Sequence, residues 1–164
     1  MNAKLAQLLR VSLEGDERRF NTLKQELAFV HDYLAIEKVR FGDKLRVHEE
    51  IDPSTLETRV PSMILQPIIE NAIKHGISKM AGGGELTLRI YRADDLVNLE
   101  ITNTGKNGPV TKGVTQLFQK GIGLRNTHER LKRIYGDSFG LRITAEPELF
   151  SVKITIPQNH ANPE

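Results

Sequence analysis

Two pairs of short apolar runs place the strongest limit on how this chain can fold. Residues 86–90 and 97–101 form one pair, and residues 141–143 and 150–156 form the other, with apolar and polar side chains alternating in each run. Such alternation is typical of half-buried strands. Because the links within each pair are too short for a crossover helix, we predict antiparallel pairing and exclude a doubly wound parallel sheet.

Segments with helical periodicity precede these strands and lie between the two pairs. Apolar residues recur at helical spacing in residues 5–13, 22–41, 61–76 and 123–135, and a further strand is predicted at 45–51. The expected fold is α+β, a two-layer α/β sandwich. Its mostly antiparallel mixed sheet carries helices on one face and is preceded by an N-terminal helical arm.

A long, glycine-containing connection at residues 106–120 has no predicted helix or strand. Connections of this length inside a compact domain are lids, binding loops or disordered segments, and we favour a lid. From Gly105 to Tyr135 basic residues far outnumber acidic ones. This excess of positive charge suits a bound polyanion and a plain solvated face equally well.

Composition excludes several classes of protein. The 164 residues include no cysteine, which excludes a disulfide scaffold, a thiolate zinc site and a cysteine nucleophile. The net charge of +2, from 23 basic and 21 acidic residues, is too balanced to indicate a nucleic-acid partner. No apolar stretch approaches the roughly 20 residues that cross a bilayer as a helix. One soluble domain with a short extension is expected.

Four polar residues share one face of the helix that is predicted to end near Gly76. At roughly 100° per residue, Glu70, Asn71, Lys74 and His75 lie in one arc, with apolar residues opposite. An acid, an amide, an amine and an imidazole in one cluster can supply a general base, a neutral metal ligand and cations for phosphate oxygens. The same spacing also describes an ordinary solvated face, so the residue types carry the functional interpretation.

Two glycine-containing junctions are further candidates. The strand at 97–101 runs into Asn103 and Gly105, where a polar side chain can recognise a base edge and glycine permits close approach, although an Asn/Gly turn explains the pattern as well. Gly121 and Gly123 open a helix, and helix N-termini present free N–H groups to phosphate. A plain loop-to-helix junction is the alternative there, and no dinucleotide fingerprint is present.

In chain order, residues 71–76, 103–105 and 121–126 resemble the N, G1 and G2 boxes of the gyrase, chaperone and histidine kinase ATPase superfamily. The flanking segments resemble those of Lyt-type sensor histidine kinases: residues 33–45, 60–67 and 129–131. The resemblance covers nearly the whole chain. It implies a Bergerat-type ATPase fold and an activity that uses ATP and Mg²⁺.

The resemblance also implies roles for the polar helix face. Glu70 would be the base that activates an accepting histidine, and Asn71 would ligate Mg²⁺ between the phosphates. Lys74 and His75 would approach phosphate oxygens. The other ATP-binding positions that it implies lie in the G1 and G2 boxes: Asn103, Gly105, Gly121, Gly123, Leu124 and Asn126.

In the G1 box, Gly105 would let adenine approach closely. Residues 106–120 would form the ATP lid, and the glycines of the G2 box would present N–H groups to the phosphates.

The superfamily usually has an aspartate where this chain has Asn103, and that aspartate accepts the adenine amino proton. A charged hydrogen bond contributes about 1.5–3 kcal/mol and a neutral one about 0.5–1.5 kcal/mol. We therefore expect nucleotide affinity to be roughly tenfold weaker.

The accepting histidine is expected outside this chain. In Lyt-type kinases it lies on a helix upstream of the segment that resembles residues 5–13, and no histidine precedes His31 here. The resemblance then implies a longer, homodimeric parent sensor, anchored in the bacterial inner membrane with this part in the cytoplasm and a response regulator as partner. Residues 1–42 would be a helical arm that ends the dimerisation and phosphoacceptor region, 43–158 the ATP-binding catalytic domain, and 159–164 a tail.

Two other functions compete with a histidine kinase domain. A degenerate relative would bind nucleotide only as a regulatory module, and Asn103 slightly favours this. An anti-sigma-type protein serine kinase would use the same pocket on a hydroxyl group, which the flanking segments disfavour. The presence of both Glu70 and Asn71 favours an intact catalytic domain.

Overall fold

The computed structural model of the chain describes residues 20–105 and 122–158, with only the backbone of Ile122. Its main elements, in chain order, are β1 (Phe20–Thr22), α1 (Leu23–Phe41), β2 (Leu45–Ile51), β3 (Arg59–Pro61), α2 (Gln66–Asn71), β4 (Gly84–Ala93), β5 (Leu96–Thr104), α3 (Ile122–Tyr135), β6 (Gly140–Glu146) and β7 (Leu149–Pro157). The predicted helix at 5–13, the predicted lid with Gly121, and the tail at 159–164 lie outside the described residues.

Five strands form one mixed sheet in the order β2-β4-β5-β7-β6. Both predicted hairpins are present, since β4 pairs antiparallel with β5 and β6 pairs antiparallel with β7. β2 is the exception, because it runs parallel to β4 along the sheet edge. The turn between β4 and β5 includes Asp94 at a positive φ of 54°, which an aspartate tolerates better than most residues.

The core lies on one face of this sheet. Alternate residues of the three central strands are at most 1% exposed: Leu86, Leu88, Ile90, Val97, Leu99, Ile101, Val152, Ile154 and Ile156. Buried apolar residues of α1, α2 and α3 belong to the same core. The expected two-layer α/β sandwich with helices on one face is therefore confirmed.

The opposite face of the sheet is polar and carries pairs of side chains that link its strands. Neighbouring strands are joined by Arg89 with Glu50 at 3.2 Å, Thr102 with Ser151 at 3.0 Å, and Thr155 with Asn98 at 2.9 Å. Lys153 of β7 reaches across β5 to Tyr91 of β4 at 2.9 Å. Such cross-strand pairs stabilise a sheet without an apolar partner layer. We call this side the open face.

Helix α1 has clear signals at both ends. Thr22 and Gln25 form a reciprocal capping box, in which the Gln25 N–H donates to the Thr22 hydroxyl at 3.2 Å. Gly42, with φ 57°, ends the helix and its N–H donates to the Lys38 carbonyl. One face of α1 is buried from Leu23 to Leu34, whereas Ile36 and Val39 near its end are 52% and 88% exposed. The division of the chain after residue 42 stays a prediction.

The sequence patterns missed one small sheet. β1 and β3 pair antiparallel and tie the start of α1 to the segment before α2. Each strand has only three residues, too few for a periodic signal. Over residues 20–105 and 122–158, no helix is both long enough and apolar enough to cross a membrane.

Candidate active site

Helix α2 changes its winding within the predicted site. It begins as an α-helix at Gln66–Asn71, continues as a π-helix over Ala72–Gly76 and ends in a 3₁₀ turn at Ile77–Lys79. Pro67 sits in the first turn, where its missing N–H costs no hydrogen bond. Short π-helical segments inside helices occur frequently at functional sites. The sequence predicts a helix that ends near Gly76 with 3.6 residues per turn, so the π segment is a correction to its winding.

The two faces of this helix nevertheless divide as the sequence predicts. The apolar face is buried, with Ile68, Ile69, Ala72 and Ile73 at most 5% exposed. On the other side, Glu70 and Asn71 are half-buried while Lys74 and His75 are exposed. The four polar residues therefore remain accessible to a ligand from one direction.

The end of β5 lies directly against the end of the π-helical segment. A Cβ atom at Gly76 would lie 2.2 Å from Asn103 Nδ2, and one at Gly105 would lie 3.0 Å from the Gly76 Cα. Asn103 is 3% exposed, and its Nδ2 donates to the Thr104 carbonyl at 3.1 Å. Two predicted motifs, 71–76 and 103–105, are therefore in contact through a residue, Gly76, that had no predicted role.

The third motif lies at the other end of α2. A Cβ atom at Gly123 would lie 3.8 Å from the Pro67 side chain, so the first turn of α3 packs beside the first turn of α2. Gly123 and Asn126 are exposed there. Leu124 is 3% exposed and its side chain belongs to the core, which leaves its backbone for any contact with a ligand. Gly121 lies outside the described residues.

The electrostatic setting of His75 suits an anion. Burial lowers the pKa of His75 below its ordinary value, and the neighbouring Lys79 and Lys74 ammonium groups lower it further. The lowered pKa keeps the imidazole neutral at pH 7. This end of α2 presents cations and a neutral imidazole to a negatively charged ligand.

Glu70 lies where α2 faces α1. Gln66 Nε2 donates to Glu70 Oε1 at 3.3 Å. Across the junction, burial raises the pKa of the Tyr33 hydroxyl above its ordinary value, and the nearby Glu37 and Glu70 carboxylates raise it further, against a smaller opposing effect of Arg40. The Tyr33 hydroxyl therefore stays protonated at neutral pH close to the candidate base.

The described residues can hold Mg²⁺ only together with phosphate oxygens from a bound nucleotide, because they supply too few ligands by themselves. No group of three or more His, Cys, Asp or Glu residues in the described part of the chain is arranged to hold a metal ion. The side chain of Asn71 is half-buried and offers one neutral oxygen. Mg²⁺ ordinarily keeps several waters and takes its other ligands from one or two protein groups and substrate phosphates.

One buried acid was missed at the sequence level. Glu26 is 2% exposed and lies on the apolar face of α1 between Leu23 and Leu27. Its carboxylate accepts hydrogen bonds from the backbone N–H groups of Met63 at 2.9 Å and Ile64 at 3.1 Å. An acid in the middle of an apolar stripe was the signal that could have identified it.

A cleft near the C-terminal end of α3 contains none of the predicted site residues. Its lining includes His128, Lys132, Gly136 and Phe139. The predicted residues instead lie along α2 and at the adjoining ends of β5 and α3. We place the candidate site there, because separate motifs of the sequence meet at α2 and do not meet at the cleft.

Comparisons with known proteins indicate the family to which the chain is related. A family model described as Histidine kinase matches residues 1–45. The sensor histidine kinase YpdA of Escherichia coli (strain K12) is 36% identical over 142 residues, covering 84% of this chain and 25% of YpdA. The sensor protein LytS of Staphylococcus saprophyticus is 27% identical over 168 residues, covering 98% of this chain and 28% of LytS.

Among solved structures, the histidine kinase domain of the blue-light activated histidine kinase from Erythrobacter litoralis EL346 matches with a TM-score of 0.62 at 18% identity. The match covers 84% of this chain and 61% of that one. The fold is that of a histidine kinase catalytic domain. By sequence, the chain is homologous to sensor histidine kinases, the Lyt type among them. It spans about a quarter of the length of these curated relatives.

Proposed function

We propose that this chain is the ATP-binding catalytic domain of a two-component sensor histidine kinase, and that it transfers the γ-phosphoryl group of ATP to a histidine on an upstream helix. The observation that carries the proposal is the meeting of three separate motifs along α2. Gly76 touches Asn103 and Gly105 at one end of this helix, and Gly123 lies beside Pro67 at the other. A plain amphipathic helix would not explain why all three motifs meet there.

We assign the nucleotide along the polar face of α2. Asn103 and Gly105 receive the adenine, as the resemblance of the G1 box implies. Asn71 supplies an oxygen to Mg²⁺, which shields the phosphate charge and orients the γ-phosphoryl group when bound. Lys74 and His75 contact phosphate oxygens, and this role is supported by the excess positive charge at their end of the helix.

The first turn of α3 completes the phosphate side of the site. By the resemblance of the G2 box, backbone N–H groups of Gly121, Gly123 and Leu124 would face the phosphates, and Asn126 adds a polar side chain from the exposed side of the first turn of α3. By the same resemblance, residues 106–120, which lie outside the described part of the chain, would be the lid over the nucleotide. These assignments follow the G2 box and the connection that precedes it.

Glu70 acts as the general base. Its carboxylate accepts the proton from the imidazole of the accepting histidine while a nitrogen of that ring bonds to the γ-phosphorus. The bond from phosphorus to the β–γ bridging oxygen breaks and ADP leaves. Such transfers depend mainly on in-line placement and on stabilisation of charge. The hydrogen bond from Gln66 holds the Glu70 side chain.

The remaining roles concern the parent protein. We propose that it is a homodimeric sensor, anchored in the bacterial inner membrane with this domain in the cytoplasm, that passes its phosphoryl group to a response regulator. Homology to sensor histidine kinases supports this. Because the accepting histidine is expected upstream, the chain should bind ATP without labelling itself.

The first experiment titrates Mg-ATP against the purified chain by calorimetry, with and without excess EDTA. The second incubates the chain with ATP labelled at the γ-phosphate, alone and together with a longer chain that restores the upstream helix. We expect Mg²⁺-dependent binding, no acid-labile label on the chain alone, and label when the helix is supplied.

Glu70→Gln should slow this labelling without abolishing ATP binding, whereas Glu100→Gln, on the open face of the sheet, should change neither. Acid-labile phosphate on the chain alone would show that the acceptor is internal. Binding without any transfer to the restored helix would instead support the degenerate regulatory module, which Asn103 favours. The comparisons favour neither this module nor a serine kinase.

A further inference from the structure

The segment that leads into α2, residues 61–65, is held from two sides, and we call it the clamp loop. On one side is Glu26 of α1. Its Oε2 accepts a hydrogen bond from the Ile64 N–H, while its Oε1 accepts bonds from the Met63 N–H and, at 2.8 Å, from the Asn21 side chain. A buried carboxylate is unfavourable unless it is hydrogen-bonded in this way.

On the other side is Arg130 of α3. Its guanidinium donates to the Ser62 carbonyl and, at 3.1 Å, to the Ser62 hydroxyl. An arginine bound through two of its nitrogens fixes direction as well as distance, which a single point contact does not. The clamp loop is thus joined to α1 and to α3 through adjacent residues.

The backbone of the clamp loop needs this support. Met63 has a positive φ of 62°, a conformation that is uncommon for residues other than glycine and that persists where the surroundings hold it. α2 begins at Gln66, directly after the loop. Its first turns carry the candidate base Glu70 and the candidate metal ligand Asn71, so a shift of the loop would displace both.

We propose that Glu26 and Arg130 are positioning residues that act through the clamp loop to hold α2, and with it Glu70 and Asn71, in the geometry that binds Mg-ATP. The inference rests on the proposed nucleotide site. Neither residue is among those proposed to bind the nucleotide. Each joins α2 to a different helix, and α1 lies within the region that matches the histidine kinase family model.

The test compares Mg-ATP affinity among folded variants. Glu26→Gln keeps the size of the side chain but removes the charge and one acceptor oxygen, and Arg130→Gln removes the two-nitrogen contact. The controls are Glu57→Gln and Lys132→Gln, which alter an exposed acid and an exposed base. Titrations are made at a temperature at which circular dichroism shows every variant fully folded.

We expect Glu26→Gln and Arg130→Gln to weaken Mg-ATP binding by about tenfold. Binding of ATP in EDTA should change much less, and the controls should match the unchanged chain. A purely structural role would lower Tm but leave affinity unaltered in the folded protein, so it predicts a different result. If Glu26→Gln fails to fold, Arg130→Gln, whose side chain is only partly buried, carries the test.

The outcomes separate the two proposals. If the unchanged chain binds Mg-ATP and both folded variants bind it equally well, the positioning role is overturned while the proposed function stands. If the unchanged chain does not bind Mg-ATP at all, the proposed function fails, and the inference fails with it.

Discussion

Gly76 and Asn103 are packed so closely that no side chain fits between them. A Cβ atom on Gly76 would lie 2.2 Å from Asn103 Nδ2 and 3.2 Å from its Cγ. The two residues belong to different motifs, one on α2 and one at the end of β5. Their contact therefore couples the polar helix face to the predicted adenine-binding position.

Gly76→Ala tests this contact. The added methyl group must push the Asn103 side chain away and break its hydrogen bond to the Thr104 carbonyl. Overpacking of this kind costs about 1–3 kcal/mol, and Mg-ATP affinity should fall as well. Gly82→Ala is the control, because a Cβ there meets nothing within 4 Å, and its effect should stay within about 0.5 kcal/mol. Equal urea midpoints for the two variants would contradict the packing argument.

Asn103→Asp should have opposite effects on ligand binding and on stability. A carboxylate accepts a hydrogen bond more strongly than an amide, so ATP affinity should rise by about tenfold if residue 103 receives the adenine amino group. In the apo protein, aspartate cannot donate to the Thr104 carbonyl, and a buried carboxylate beside it should cost about 1–3 kcal/mol. Calorimetry and thermal unfolding measure the two effects. Weaker or unchanged ATP binding would remove adenine recognition from this position.

Asn71→Ala should abolish the Mg²⁺-dependent part of nucleotide affinity. The side chain is half-buried on the polar face and makes no hydrogen bond with another residue of the described part. Its loss should therefore change apo stability by no more than about 0.5 kcal/mol, which is roughly 2 °C in Tm. Asn71→Asp keeps an oxygen ligand and should retain Mg²⁺-dependent binding. A large drop in apo Tm would instead show that Asn71 is a structural residue.

His75 should take up a proton when nucleotide binds. Its pKa is lowered in the free protein by burial, Lys79 and Lys74, and a phosphate close to the ring would raise it again. Between the two pKa values, binding should consume protons, which calorimetry near pH 6.5 in two buffers of different ionisation enthalpy detects. His75→Asn should remove the uptake, and His31→Asn, which alters an exposed histidine that contacts Glu49, should not.

The lowered pKa of His75 also sets the direction of a pH effect on stability. The unfolded chain binds this proton more readily than the folded one, so the free energy of unfolding should rise with pH between the folded pKa and the ordinary value of 6.5. The effect should disappear in His75→Asn. Urea unfolding at several pH values measures it, and a fall in stability over this window would contradict the sign of the shift.

The sheet could be predicted from the sequence because its strands alternate so regularly. Predicted strands at 86–90 and 97–101 lie inside β4 and β5, and the short link between them required the observed hairpin. The parallel pairing of β2 with β4 could not be predicted, because no local pattern records which distant strand will be a neighbour. β1 and β3 were not predicted because strands of three residues are too short to show a period.

The candidate site could be predicted in part. Helical spacing placed Glu70, Asn71, Lys74 and His75 on one accessible face, as observed, but their chemical roles stay predictions. Spacing along one helix carries no information about contacts with other elements of the fold. The packing of Gly76 against Asn103 therefore could not be predicted. Glu26 was missed because helical spacing identifies the apolar stripe of α1 but not the distant backbone N–H groups of Met63 and Ile64 that stabilise a carboxylate within it.

The π-helical segment at Ala72–Gly76 has a consequence for changes in chain length. A π turn accommodates one more residue than an α turn, so this stretch is equivalent to an α-helix with a single insertion. Deleting one residue within this stretch would restore α-helical bonding and leave the residues beyond it facing nearly as before, because the π segment already takes up the extra residue within its wider turn. The contact of Gly76 with Asn103 would then be kept, while the side chains inside the segment would shift by one position. A one-residue gap at this helix in an alignment of homologous chains would therefore mark the loss of the π segment and a changed polar face, with the packing beyond it retained.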